Sequence, residues 1–287
     1  MDFSLNDDTE EIQKYQFNRT CYALATTKLL EGIVTYPLEV LKVNRQLSLQ
    51  SYKTILNELS TTKQQLLGLY RGLSLYAVIS AISVPLKGLA YSRAREAFSA
   101  DVERVGIYRQ SFAWTTSSAV GFAATNFLEA MRMRLMSDPL RVQFPKVSDA
   151  LVQVKETLGT RSFFIGFQTS VIREYVKILN YVVSHEKIQP FLEKKLNLQK
   201  NSHISIIVSA LAGSSVFSAL ITPIDAIRTR LYVLSESATK PQSLIKDLFK
   251  AARAKGFGYG FTPIFISSVS SNIALAYCNS YWRVTSY

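Results

Sequence analysis

Three acidic residues each stand three positions ahead of a basic one: Glu39 before Lys42, Glu129 before Arg132, and Asp225 before Arg228. Residues three apart share one face of a helix, so each acid and its base project together. Two of the pairs lie in Pro-x-acid-x-x-base strings, YPLEVLK (Tyr36–Lys42) and TPIDAIR (Thr222–Arg228). The middle copy, NFLEAMR (Asn126–Arg132), carries Phe127 where the others carry Pro37 and Pro223. Such a set is suited to reversible ion pairing between helices, and a proline inside a helix kinks it. It is not suited to catalysis. There is no Ser-His-acid set and no phosphate-cradling glycine loop. Two cysteines, Cys21 and Cys278, and two histidines, His185 and His203, offer no metal or disulfide framework. The expectation is a protein that is not an enzyme, with no metal and no cofactor.

The elements that must carry these pairs are long and apolar. The 287 residues hold 33 basic and 21 acidic side chains, a net charge of +12, yet only 19% are charged and 48% are hydrophobic. Charge is absent from Gln110 to Leu128, from Ile204 to Ile224 and from Gly256 to Trp282. Each run approaches or exceeds the roughly 18–20 residues that cross a bilayer as a helix. Leu73 to Ser92 is similar apart from Lys87, while Thr20 to Leu41 and Phe163 to Val183 carry a few charges each. Runs rich in Ala, Ser and Leu, without hairpin turns, predict helices rather than strands. Charges at membrane depth cost about 2.5–3.5 kcal/mol by insertion scales and therefore face one another or a water path. A soluble nucleic-acid binder is the weaker reading, because the basic residues flank apolar spans instead of clustering among aromatics on one face, and a need for detergent in extraction would dispose of it. The polar, acidic opening MDFSLNDDTEEIQ does not read as a secretory signal.

A period organises the chain. Gly72, Gly166 and Gly260 lie 94 residues apart and follow the three proline positions by 35, 39 and 37 residues. Between motif and glycine run amphipathic stretches such as Ser148–Leu158 and Ser243–Ala254, expected as surface helices at the membrane boundary. One unit is thus helix, acid–base motif, surface helix, glycine, helix. Three units predict an all-α membrane protein of six transmembrane helices in three pseudo-repeats around a central cavity. The expected organisation is a single domain over 1–287, with repeats at 14–100, 107–195 and 201–287.

On these motifs the sequence resembles the mitochondrial carrier family over nearly its whole length. The resemblance implies a barrel kinked at Pro37 and Pro223, in the mitochondrial inner membrane. It implies a matrix gate pairing Glu39 with Arg132, Glu129 with Arg228, and Asp225 with Lys42. Gln46 takes the family's bracing position, whereas Met136 and Tyr232 stand at the other two and cannot brace in the same way. A cytosolic gate would use Glu186 with Arg283, and Ser92 with Gln189 by hydrogen bonding at most, with Arg95 at the remaining base position. His185 fills an aromatic slot there, where packing is its expected role.

For the substrate, the resemblance points to the even helices at mid-cavity. Ile79, Arg173 and Ser267 lie seven residues after the glycines, followed by Ser80, Glu174 and Ser268, with Ser83, Lys177 and Lys87 on the same faces. Lys28 is a weaker addition. Three bases against one acid favour an anion, and Arg173 can hold a carboxylate through two parallel hydrogen bonds. The motif wording is similar to the citrate, or tricarboxylate, branch, which implies a small di- or tricarboxylate moved by exchange. Other readings stay open: an amino acid held by Arg173 and Glu174, a site where those two neutralise each other, and a carrier-fold protein that transports nothing and acts in assembly. Cardiolipin is the lipid partner the family implies, no nucleic acid is expected, and the three-repeat unit is expected to be a monomer.

Overall fold

The computed structural model describes residues 32–48, 50–60, 65–98, 107–159, 164–199, 201–234 and 260–283. Among them every regular element is helical. In chain order these are α1 (residues 32–48), α2 (Tyr52–Ser60), α3 (Gln65–Leu69), α4 (Leu73–Phe98), α5 (Ile107–Ser137), α6 (Val147–Leu158) and α7 (Phe167–Val183). A single π-helical turn, Ser184–Ile188, joins α7 to α8 (Gln189–Leu196), and α9 (His203–Leu234) and α10 (Phe261–Arg283) follow. Lys28 and the stretch Ser243–Ala254 lie outside the described residues.

The long helices pack in sequence, α4 on α5, α5 on α7, α7 on α9 and α9 on α10, while α5 also meets α9 directly. A core of Tyr36, Val40, Val43, Ala130, Met133, Met136 and Tyr232 ties α1, α5 and α9 together at their motif ends. Pro37 and Pro223 sit inside α1 and α9, and Pro85, which the motif did not anticipate, sits inside α4. At the opposite ends of the connections, Gly72, Gly166 and Gly260 share positive φ angles of 88°, 70° and 99°. Side chains are strained in that backbone region, so the 94-residue period marks a turn that each following helix needs.

Helix α9 wears its residues inside out. Ser205, Ser209, Gly213, Ser214, Ser218, Thr222 and Asp225 are buried, whereas Ile204, Leu211, Val216 and Leu220 are exposed. In water an amphipathic helix turns its apolar stripe inward. Small, hydroxylated inner faces and an apolar outer face suit close helix contact within lipid. The contact is close indeed: a Cβ on Gly213 would collide with Ser184 Oγ. Around it, Asn180, Ser184, Ser214 and Asn272 are linked by hydrogen bonds that join α7, α9 and α10.

Among the described residues two stretches, Leu67–Tyr91 and His203–Leu234, are long and apolar enough to cross a membrane, against six expected from the sequence. The physical reason lies in the inner faces. The uncharged run of α5 carries Gln110, Ser111, Asn126 and the Ser/Thr string Thr115–Ser118, α7 carries Arg173, Glu174 and Lys177, and α10 is rich in serine. Those residues lower the hydropathy of helices just as long as a bilayer is thick.

Candidate functional site

The three motifs converge where α1, α5 and α9 meet. Lys42 Nζ lies 2.9 Å from Asp225 Oδ2, Arg132 Nη2 lies 3.4 Å from Glu39 Oε2, and Arg228 Nη2 lies 2.5 Å from Glu129 Oε1. Each base reaches the acid of a different motif, so the three contacts close a ring. The ring is uneven. Arg132 also approaches Glu129 on its own helix, at 3.0 Å, so Glu129 serves two guanidinium groups. All but Glu39 are nearly sealed from solvent.

Neighbouring polar groups hold the ring in place. Gln46 donates from Nε2 to Asp225 Oδ2 at 3.3 Å and accepts at Oε1 from the hydroxyl of Thr229 at 2.7 Å. Its acid is thereby fixed against Lys42. Tyr232 does a related job by other means. Its ring lies under Arg228 at 5.1 Å, and its hydroxyl meets Asn126 Oδ1 and Ser170 Oγ, at 2.5 and 3.1 Å. Ser170 Oγ in turn accepts from Arg228 Nε at 2.9 Å. Arg132 stands between the rings of Tyr36 and Tyr76, at 6.0 and 5.1 Å. Such cation–aromatic contacts add about 0.5–2 kcal/mol each. Thr229, Asn126, Ser170, Tyr36 and Tyr76 were not singled out from sequence. The four-residue step from Arg228 to Tyr232 on one helix was the available signal.

Beside the ring opens a cleft of about 360 Å³, part of it open to solvent, between α1, α7, α9 and α10. Arg173, Lys177, Ser267 and Ser268 line it together with Glu39, Lys42 and Asp225. Three bases face two acids there. Arg173 Nη1 donates to Asp225 Oδ1 at 2.6 Å, so the ring's third acid is shared between Lys42 and a cleft arginine. Charge-assisted bonds this short are among the stronger ones a protein makes.

The remaining residues singled out from sequence lie elsewhere. Ile79, Ser80, Ser83, Lys87 and Glu174 do not line the cleft. Glu174 Oε1 is 3.5 Å from Lys87 Nζ, and that ammonium also sits 4.5 Å from the ring of Phe122. Arg173 and Glu174 thus engage Asp225 and Lys87 respectively. At the other end, Glu186 is exposed, and the side chains of Ser92, Arg95 and Arg283 lie outside the described residues. Gln189 is turned toward its own neighbourhood: its Nε2 donates to Glu193 and Asn201, and its Oε1 is 2.8 Å from His185 Nδ1. The His185 ring packs against Tyr181 at 4.6 Å.

The family model described as mitochondrial carrier protein matches residues 103–196. A mitochondrial dicarboxylate transporter of Candida glabrata is 24% identical over 246 residues, covering 80% of this chain and 82% of its own. Mitochondrial citrate transporter C of Aspergillus niger is 24% identical over 266 residues, covering 82% and 80%. Mitochondrial nicotinamide adenine dinucleotide transporter 1 of Saccharomyces cerevisiae is 21% identical over 308 aligned positions, covering 97% and 83%. The matched family model covers a third of the sequence and these relatives, each 24% identical or less, align along most of it, so the chain is similar to mitochondrial carrier proteins.

Proposed function

We propose that this protein is a six-span, three-repeat solute carrier of the mitochondrial inner membrane that exchanges a small carboxylate metabolite by alternating access. In this reading residues 1–287 form one carrier domain, with repeats at 14–100, 107–195 and 201–287. The ring of Glu39, Lys42, Glu129, Arg132, Asp225 and Arg228, braced by Gln46, is the matrix gate. Glu186, Arg283 and Arg95 serve the cytosolic side. Arg173, Lys177, Ser267 and Ser268 face the substrate in the cleft.

The observation that carries the reading is the bond from Arg173 to Asp225. A substrate carboxylate entering the cleft competes with Asp225 for the Arg173 guanidinium. Once Arg173 turns to the substrate, Asp225 loses one of its cations and the ring is weakened where it meets the cleft. A ligand shifts such an equilibrium only through its different affinity for the two states. Here that difference comes from the ion pair it replaces. The dicarboxylate and citrate transporters among the relatives carry carboxylates by name, in line with this chemistry.

One observation favours a second reading. Glu174 is paired with Lys87, close to Arg173. An amino acid could replace both partners at once, its carboxylate displacing Asp225 and its amine displacing Lys87. Liposomes holding the purified protein, loaded in turn with citrate, malate, 2-oxoglutarate and a basic amino acid, separate the two. Exchange among the carboxylates supports the first reading, and exchange confined to amino acids supports the second. A protein that moves none of them is a carrier fold put to another use, which would overturn both.

A further inference from the structure

Just beyond the ion pairs, toward the helix ends, lies a second ring. Asn44 on α1 donates from Nδ2 to the main-chain carbonyl of Met136 on α5, at 2.8 Å. Arg134 on α5 donates from Nε to the carbonyl of Tyr232 on α9, at 3.3 Å, and Arg230 on α9 donates from Nε to the carbonyl of Gln46 on α1, at 3.1 Å. The three donors stand two residues after the bases Lys42, Arg132 and Arg228, and the three acceptors stand four residues after them. Three bonds at one register close a cycle from α1 to α5 to α9 and back.

The two rings run in opposite senses. In the ion-pair ring α1 offers its acid to α5, α5 to α9, and α9 to α1; in the second ring the same helix offers the hydrogen-bond donor. Each pair of helices is therefore fastened twice, about 7.5 Å apart along the axis for a five-residue step. The acceptors explain the register. Met136, Tyr232 and Gln46 lie in the last turns of their helices, where carbonyls have no partner within the helix and the dipole favours a cation. The Asn44 link is the uncharged one, and its Nδ2 also donates to the carbonyl of Val40 at 2.9 Å. The seam between α1 and α5 is thus held least firmly by this ring.

We infer that Asn44, Arg134 and Arg230 are positioning residues that hold the motif ends of α1, α5 and α9 together independently of the ion pairs, so that this end opens only when both rings release. The inference rests on the gate reading above. It is tested with Ser267→Cys as a reporter in the cleft, in a chain carrying Cys21→Ser and Cys278→Ser, reconstituted in liposomes. A membrane-impermeant maleimide is applied from the motif side or from the opposite side. Arg230→Ala is expected to raise motif-side labelling roughly tenfold, the effect of removing one charge-assisted bond, with no rise from the opposite side. Asn44→Arg, which gives the first link the donor its counterparts have, is expected to lower motif-side labelling below the parent chain. Loss of packing alone would not do that. If both variants label like the parent while Asp225→Asn labels faster, the second ring holds nothing and the gate reading stands without it. If Arg230→Ala labels faster from both sides alike, the residue supports the fold and not closure. If Asp225→Asn also leaves labelling unchanged, the gate reading fails and the inference with it.

Discussion

Arg173 on α7 and Asp225 on α9 are joined by a 2.6 Å charge-assisted hydrogen bond, and Asp225 is at the same time the partner of Lys42 on α1. A residue of the cleft and a residue of the ring thus share one carboxylate. Replacing one carboxylate oxygen by an amide nitrogen, Asp225→Asn, keeps the size of the side chain but removes the charge that three cations surround.

Asp225→Asn is therefore expected to be costly. Breaking a buried pair by neutralising one partner leaves the others uncompensated, at about 3–5 kcal/mol. Thermal unfolding in detergent checks this, as a clear fall in melting temperature. The charge reversal Lys42→Asp should be worse, and Lys42→Arg, which keeps the cation, should lose little.

Tyr232→Phe keeps the ring beneath Arg228 but deletes the hydroxyl that Asn126 and Ser170 share. Leaving Asn126 Oδ1 without its donor costs roughly 1–3 kcal/mol. The same unfolding assay reads it, and Asn126→Ala should cost more than Tyr232→Phe, because it also removes the bond from Asn126 Nδ2 to the Ile165 carbonyl, at 2.9 Å.

Gly166→Ala meets two penalties. Its Cβ would lie 2.9 Å from Tyr232 Cζ, and its φ of +70° is a left-handed conformation. The backbone alone costs an alanine about 1–2 kcal/mol. Melting temperature should fall further than for Gly159→Ala, where φ is also positive but a Cβ would meet nothing within 4 Å.

How much of this could be read from the sequence differs from part to part. The helices announce themselves through uncharged runs, the three-residue step puts each acid and base on one face, and the resemblance those motifs carry implies the pairing of Glu39 with Arg132, Glu129 with Arg228 and Asp225 with Lys42. The Arg173–Asp225 bond does not follow, since a repeat aligns equivalent positions but says nothing about how deep a long side chain reaches. Tyr232 was read as unable to brace because it is not a glutamine; its hydroxyl reaches Asn126 and Ser170 instead. The second ring was invisible for a plainer reason: its acceptors are main-chain carbonyls, which no residue type reveals. Two stretches among the described residues reach the hydropathy of a membrane span, because inward-facing charges and serines dilute the apolar signal of other helices.

Glu174→Gln separates the two substrate readings by sign. For a multiply charged carboxylate, removing a negative charge beside the cleft strengthens attraction, by about 1 kcal/mol. The KM for citrate should fall several-fold. For an amino acid the same change removes the amine's partner, and uptake should be lost. Initial rates across a concentration series decide it.

The account depends most on Arg173 as the point where substrate and gate compete. Its most direct measurement is the initial rate of citrate uptake into malate-loaded liposomes, for the parent chain and for Arg173→Ala. A loss of about a hundredfold or more is expected, the scale of one charge-assisted, desolvated contact of about 3 kcal/mol. Equal rates in the two proteins would contradict the account, because carboxylate exchange would then proceed without the residue proposed to receive it.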